Sequence, residues 1–237
     1  MNNQAEVLTE KVGETVGQTI DVYPMMTLCA LDIICETTMG VQINAQNHPK
    51  SEYVKAVHQT SELAFRRMST PWLYADWVYE MTPSGKLWKR NLDILHGFSK
   101  TIIQERKQQM KAMSEGCDEN DNCGQNKMAF LDILIKSSEG SEVFTDDDIR
   151  EAVDTFMFEG HDTIASNAAM TLYLLALDRN IQRSCQDELD DIFGDSGRAA
   201  TPDDLAKMKY LFPASRSLFV SMEVFLVLEG SRLKRLL

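Results

Sequence analysis

Apolar residues recur along this chain at three- and four-residue intervals, the spacing that gathers them on one side of an α-helix. Ala5, Leu8, Val12 and Val16 make the first stripe, with Glu6, Glu10 and Glu14 opposite. Pro24 restarts the chain, and from Met25 to Met39 the set Leu28, Leu31, Cys35 and Thr38 again shares one face. Gly40 then stands where a helix end takes a left-handed residue. A turn at Asn47-His48-Pro49 precedes a helix expected from about Ser51 to Met68. The stretch from Pro71 to Tyr79 is aromatic, holding Trp72, Tyr74, Trp77 and Tyr79, and Pro83-Ser84-Gly85 reads as a turn. Leu87, Leu95, Phe98 and Ile102 mark the next helix, which becomes wholly polar at Gln104-Glu105-Arg106-Lys107.

Met113 to Lys127 has no periodicity and is expected to be a mobile surface loop. A short helix, Met128 to Lys136, follows. Thr145 and the three acids Asp146, Asp147 and Asp148 then supply an N-cap and a negative first turn, opening a helix that runs to about Leu177. At 1.5 Å per residue that helix is about 48 Å long, and its second half is apolar on nearly every side, which predicts central burial. Ile181, Cys185, Leu189 and Ile192 mark another amphipathic helix, and Thr201-Pro202 opens a last short one. No alternating strand pattern survives, so the expected fold class is all-α with little or no β. From Phe212 the pattern changes: Leu218 to Leu228 is packed with Phe, Val and Leu, and the terminus is basic and leucine-rich.

Composition narrows the function classes. Among 237 residues, 24 Lys and Arg against 36 Asp and Glu give a net charge of -12, which repels phosphate backbones, so nucleic acid is excluded as the expected partner. The longest charge-free apolar stretch, Ile164 to Leu177, is 14 residues, and a membrane span needs about 18–20. No transmembrane segment and no secretory signal is expected. Five scattered cysteines without a C-x-x-C pair suggest reduced thiols rather than disulfides or zinc. His48, His58, His96 and His161 are dispersed, and for each a satisfied surface or core histidine is the commoner reading than a metal ligand. Arg66-Arg67 and Arg106-Lys107 read as solvated helix faces, and Trp72 and Trp77 as core or lipid-facing aromatics.

One string inside the long helix asks for chemistry: Phe156-Met157-Phe158-Glu159-Gly160-His161-Asp162-Thr163. Glycine in a helix interior costs about 1 kcal/mol against alanine, and acids beside apolar residues cost more if buried. For each residue alone a polar kink packed on neighbours is the commoner explanation. Together they suggest an approach for a ligand, with room at the glycine and a carboxylate and hydroxyl able to pass protons.

The string resembles the oxygen-binding helix of the cytochrome P450 superfamily of heme-thiolate monooxygenases, whose motif is a small residue, Gly, any residue, Asp or Glu, Thr, then Thr or Ser. Glu159 in the first position is similar to family 4, particularly its insect members. The resemblance extends over Leu28 to Gly40, Ile94-Leu95-His96-Gly97-Phe98 and Lys207-Met208-Lys209-Tyr210-Leu211, so it covers most of positions 2–211. It implies an incomplete cytochrome P450 fold over 1–211 and a divergent tail over 212–237. Residue by residue, it implies Glu159 as a carboxylate esterified to a heme methyl group, Gly160 as the opening for dioxygen, and Asp162 with Thr163 as the proton-delivery pair. Heme iron would be the cofactor of the complete enzyme, NADPH-cytochrome P450 reductase its electron donor, and a fatty-acid-like or other apolar small molecule its substrate. The expected location is the cytosolic face of the endoplasmic reticulum membrane.

Departures from the family pattern bear on mechanism. Ile164 stands where a second Thr or Ser is usual, removing a hydroxyl. The Phe-x-x-Gly-x-x-x-Cys-x-Gly loop that carries the iron ligand is not found, no metal ligand is assigned, and Glu229 to Arg232 has the spacing of the family's Glu-x-x-Arg in the wrong context. The membrane anchor and the Trp-x-x-x-Arg helix would lie upstream of Met1. The chain by itself is therefore expected to be inactive and not to retain heme. The alternative is a non-catalytic helical protein that binds apolar ligands or partners.

Overall fold

The structure is a computed structural model, and it describes residues 2–116, 129–138, 145–194, 196 and 198–209. Among these every regular element is helical: α1 Asn2–Gly13, α2 Tyr23–Ile34, a π-helical turn Cys35–Met39, α3 Glu52–Met68, a 3-10 turn Pro71–Leu73, α4 Asp76–Met81, α5 Pro83–Gly116, α6 Phe130–Ser138, α7 Asp146–Leu177, α8 Arg179–Phe193 and α9 Pro202–Lys207. Most of the loop expected over Met113 to Lys127, with Cys117 and Cys123, lies outside the described residues, as does the tail 212–237. Within that loop, α5 carries the helix on to Gly116.

Local chemistry accounts for most boundaries. Ser51 caps α3, its hydroxyl accepting from the Val54 N–H, and Gly40 closes the π-helical turn with φ 71. Thr145 and Asp148 form a reciprocal capping box at the start of α7, and Thr201 and Asp204 repeat it at α9. The turn expected at Pro83-Ser84-Gly85 is instead the first turn of α5. Thr82 is its cap, accepting from the Gly85 N–H at 3.0 Å, and Pro83 fills a first-turn position that needs no N–H.

The core is a seam between α2 with its π-helical extension and α7, roofed by α5 and α6. Leu31, Cys35 and Met39 meet Ile149, Val153 and Met157, with Leu131 and Ile135 of α6. Full burial of side chains such as Leu31 or Ile149 stabilises by about 1.5–3 kcal/mol each. Central burial of α7 is corrected: only one stripe at four-residue spacing, Ile149 to Ala169, is buried. Phe156, Ile164, Leu172, Tyr173 and Leu177 are exposed, and the buried row ends at Ala169, so Tyr173 and Leu177, which continue its spacing, are left uncovered.

Two basic pairs do more than face solvent. Arg67 donates to the carbonyls of Leu73 and Tyr74 and pairs with Asp76, pinning an aromatic segment whose Trp72 and Trp77 are exposed rather than in the core. Arg106 pairs in two-pronged fashion with the buried Asp132, whose carboxyl it holds below the ordinary range.

Candidate functional site

The string Phe156 to Thr163 lies in the middle of α7 with no break. A helix turns each successive residue by about 100°, so its members face different neighbours. Met157 and His161 belong to the buried stripe. The Nδ1 of His161 stands 2.7 Å from the Met157 carbonyl, which assigns the ring proton to Nδ1 as donor. Burial pushes its pKa below the ordinary value, so the ring is held neutral.

Asp162 turns to α2, where the Tyr23 hydroxyl donates to its Oδ1 at 2.6 Å. Gly160 also faces α2: a Cβ there would stand 3.0 Å from Cδ1 of Ile34 and 3.3 Å from its Cγ1. The space left by the missing side chain is therefore on the Ile34 side. Glu159 and Thr163 share the exposed side, one turn apart, and the Thr163 hydroxyl donates back to the Glu159 carbonyl at 2.6 Å. The expected proton pair is thus adjacent in sequence but divided in space, Asp162 bonded to α2 and Thr163 to its own helix.

Beside the string, α2, α3, α5 and α7 enclose a cleft of about 290 Å³. Leu31, Val57, Trp88, Leu95, Met157 and Phe158 form its apolar wall, and Glu159 lies on its lining. Of the four residues read from the sequence, only Glu159 reaches this cleft. A mostly apolar concavity with few polar groups suits an apolar small molecule. At one side Asp154 also lines it, accepting from Ser99 at 2.5 Å and pairing with Arg150 at 3.0 Å. Those bonds tie up its oxygens, a structural use of charge.

Sequence reading missed Tyr23 and the cleft wall. Pro24 flagged a helix start, but nothing local links Tyr23 to a partner 139 positions away. Leu95 was visible as a helix-face residue, without a sign that α3 and α7 leave a gap beside it, and Trp88 was not singled out.

The residues present fit a heme only in part. Glu159 offers an accessible carboxylate at the cleft. The described cysteines Cys29, Cys35 and Cys185 are buried, desolvation pushes their thiols up, and none lines the cleft. Electron donation by a thiolate favours O–O cleavage, and these thiols do not fit that position. Among the described residues no group of His, Cys, Asp and Glu is arranged to hold a metal ion, and no helix is long and apolar enough to cross a membrane.

Comparison with known proteins agrees with this geometry. The sequence model described as Cytochrome P450 matches residues 1–213. Cytochrome P450 4V2 of Homo sapiens is 45% identical over 219 residues, taking in 89% of this chain and 41% of that protein. Cytochrome P450 4c3 of Drosophila melanogaster is 41% identical over 221 residues, with shares of 89% and 41%. The chain thus spans about two fifths of the length of these relatives. The crystal structure of the cytochrome P450DA heme domain is similar with a TM-score of 0.72 at 19% identity, over 92% of this chain and 43% of that one. That likeness concerns the fold, and it accords with the all-helical architecture seen here. With motif, fold and sequence relatives in agreement, this chain belongs to the cytochrome P450 family.

Proposed function

We propose that the chain is a section of a family 4 monooxygenase that inserts one oxygen atom from O2 into a fatty-acid-like or other apolar substrate. NADPH electrons arrive through NADPH-cytochrome P450 reductase at the cytosolic face of the endoplasmic reticulum membrane. In this reading residues 1–211 are cytochrome P450 sequence and 212–237 a tail outside the family pattern. The observation that carries it is the unbroken Phe156 to Thr163 string on α7, with Glu159 beside an apolar cleft.

Heme, when bound, supplies the activation of dioxygen, and no described residue of this chain provides its thiolate. In this reading the chain alone does not hold heme as a thiolate complex, since none of its five cysteines stands in the family's ligand-loop setting. Its own residues do the following. The cleft wall receives the apolar body of the substrate and excludes water. Glu159 presents a carboxylate oxygen for esterification. Gly160 leaves its helix face without a side chain. Asp162 accepts a proton at Oδ1 or Oδ2, and the Thr163 hydroxyl passes one after turning away from the Glu159 carbonyl.

The test replaces the matching section of cytochrome P450 4V2 with residues 1–211 and supplies reductase, NADPH and a medium-chain fatty acid. A hydroxylated product supports the reading, as does heme that resists acid extraction in the parent chimera and is extracted from Glu159→Ala. A heme-loaded chimera that yields no product from any apolar substrate overturns it. For the full chain mixed with hemin, a reduced carbon-monoxide difference spectrum should lack the Soret band of thiolate ligation. The appearance of that band would show that one of the five cysteines serves after all.

A further inference from the structure

The contact between Tyr23 and Asp162 joins residues 139 positions apart, and the expected proton-delivery role of Asp162 does not account for it. Both ends of the bond are fixed. Tyr23 opens α2, with Pro24 in the first turn. Its N–H donates to Asp21 at 3.1 Å, and its carbonyl accepts from the Thr27 hydroxyl at 3.0 Å. On the other side Asp162 sits mid-helix in α7. The two helices can lie close because Gly160 meets Ile34 without a side chain, and because Ala165 and Ala169 pack on Met26 and Ala30.

We propose that Tyr23 is the positioning residue of Asp162, holding its carboxylate in the seam between α2 and α7 and apart from the Thr163 hydroxyl. The phenol donates one hydrogen bond to a carboxylate, which limits the side-chain rotamers open to Asp162. Thr163, bonded to its own helix at 2.6 Å, cannot compete for that oxygen without changing rotamer. Proton traffic at Asp162 then runs on the α2 side, where Tyr23 is 39% exposed. The groups around the bond are the Thr27 and Ser166 hydroxyls next to the phenol, with His58 of α3 and His161 within electrostatic reach of Asp162. Burial and the neighbouring carboxylate both push the phenol above its ordinary pKa. This proposal rests on the reading of Asp162 as a proton-handling group.

The first measurement uses the full chain, with no heme. Tyrosine is labelled with carbon-13 at the ring carbon bearing the hydroxyl, and the Tyr23 signal is identified by its loss in Tyr23→Phe. In Asp162→Asn the pH of half-ionisation of Tyr23 should fall, and the other five tyrosines should not move. An unchanged Tyr23 midpoint overturns the proposal. A double-mutant cycle on the denaturation midpoint gives a second reading. Tyr23→Phe and Asp162→Asn should be non-additive, and simple additivity overturns the contact.

The functional arm uses the chimera. Tyr23→Phe should lower the product formed per oxygen consumed several-fold, with KM for substrate unchanged. If Tyr23→Phe keeps the parental ratio while Asp162→Asn loses it, Tyr23 has no positioning role and the Asp162 reading stands. If Asp162→Asn also keeps the ratio, the Asp162 reading falls, and this proposal with it, whatever the titration shows.

Discussion

Gly160 has a neighbour where its side chain would be. Alanine there gains about 1 kcal/mol of helix propensity but brings a methyl group to 3.0 Å from the end of Ile34, and relief of such overpacking costs about 1–3 kcal/mol. Gly160→Ala should therefore be neutral to destabilising by about 2 kcal/mol, and should become stabilising by about 1 kcal/mol once Ile34→Val removes the crowded Cδ1. Urea midpoints of the four variants measure this. His161 gives a pH signature. Its pKa is depressed from 6.5 by burial, so as pH falls the unfolded chain takes up a proton before the folded one does. Its contribution is present above about pH 6.5 and is lost as pH falls toward the folded value. Stability measured downward from about pH 7.5 should decline along this limb, and His161→Gln should flatten it. The sequence made the glycine and the acids visible because each is costly in a helix. Periodicity separates faces without saying what lies against them, so the Ile34 side of Gly160 and the Tyr23 bond were hidden until α2 was seen beside α7.

At the scale of elements, signals carried by two or three adjacent residues were legible and those requiring a third dimension were not. Thr145 with Asp148 and Thr201 with Asp204 announce helix starts, and both are capping boxes. Thr82-Pro83 has the form of Thr201-Pro202 and also starts a helix, but the following Ser84-Gly85 gave it the composition of a turn. The glycine is there for closeness. A Cβ on Gly85 would lie 2.0 Å from the Tyr79 carbonyl oxygen, which belongs to backbone and has no rotamer to change. Gly85→Ala should separate α4 from the start of α5 and cost about 3 kcal/mol or more, seen as a lowered thermal midpoint and faster amide exchange from Asp76 to Trp88. Ser84→Ala, one position away, should cost less than about 1 kcal/mol.

For the whole molecule, the all-α class was legible because helical periodicity recurs in every segment, whereas the burial of α7 along one stripe only was not. An apolar circumference shows that a helix can be buried and not which neighbours bury it. Here Ile164 is 59% and Leu177 65% exposed, leaving apolar surface on the second half of α7. The native chain should bind the dye ANS through that surface. Ile164→Ser with Leu172→Ser should reduce the fluorescence while leaving the urea midpoint within about 0.5 kcal/mol of the parent. The pairing of α2 with α7 has a further consequence, in the order of synthesis. Leu31, Cys35 and Met39 are made long before Ile149, Val153 and Met157, which cover them. At about 5–20 residues per second, the 139 positions from Tyr23 to Asp162 take on the order of 7–28 s to translate. For that interval the apolar α2 segment stands outside the ribosome without its partner, a natural client for a chaperone that shields apolar surface until α7 emerges.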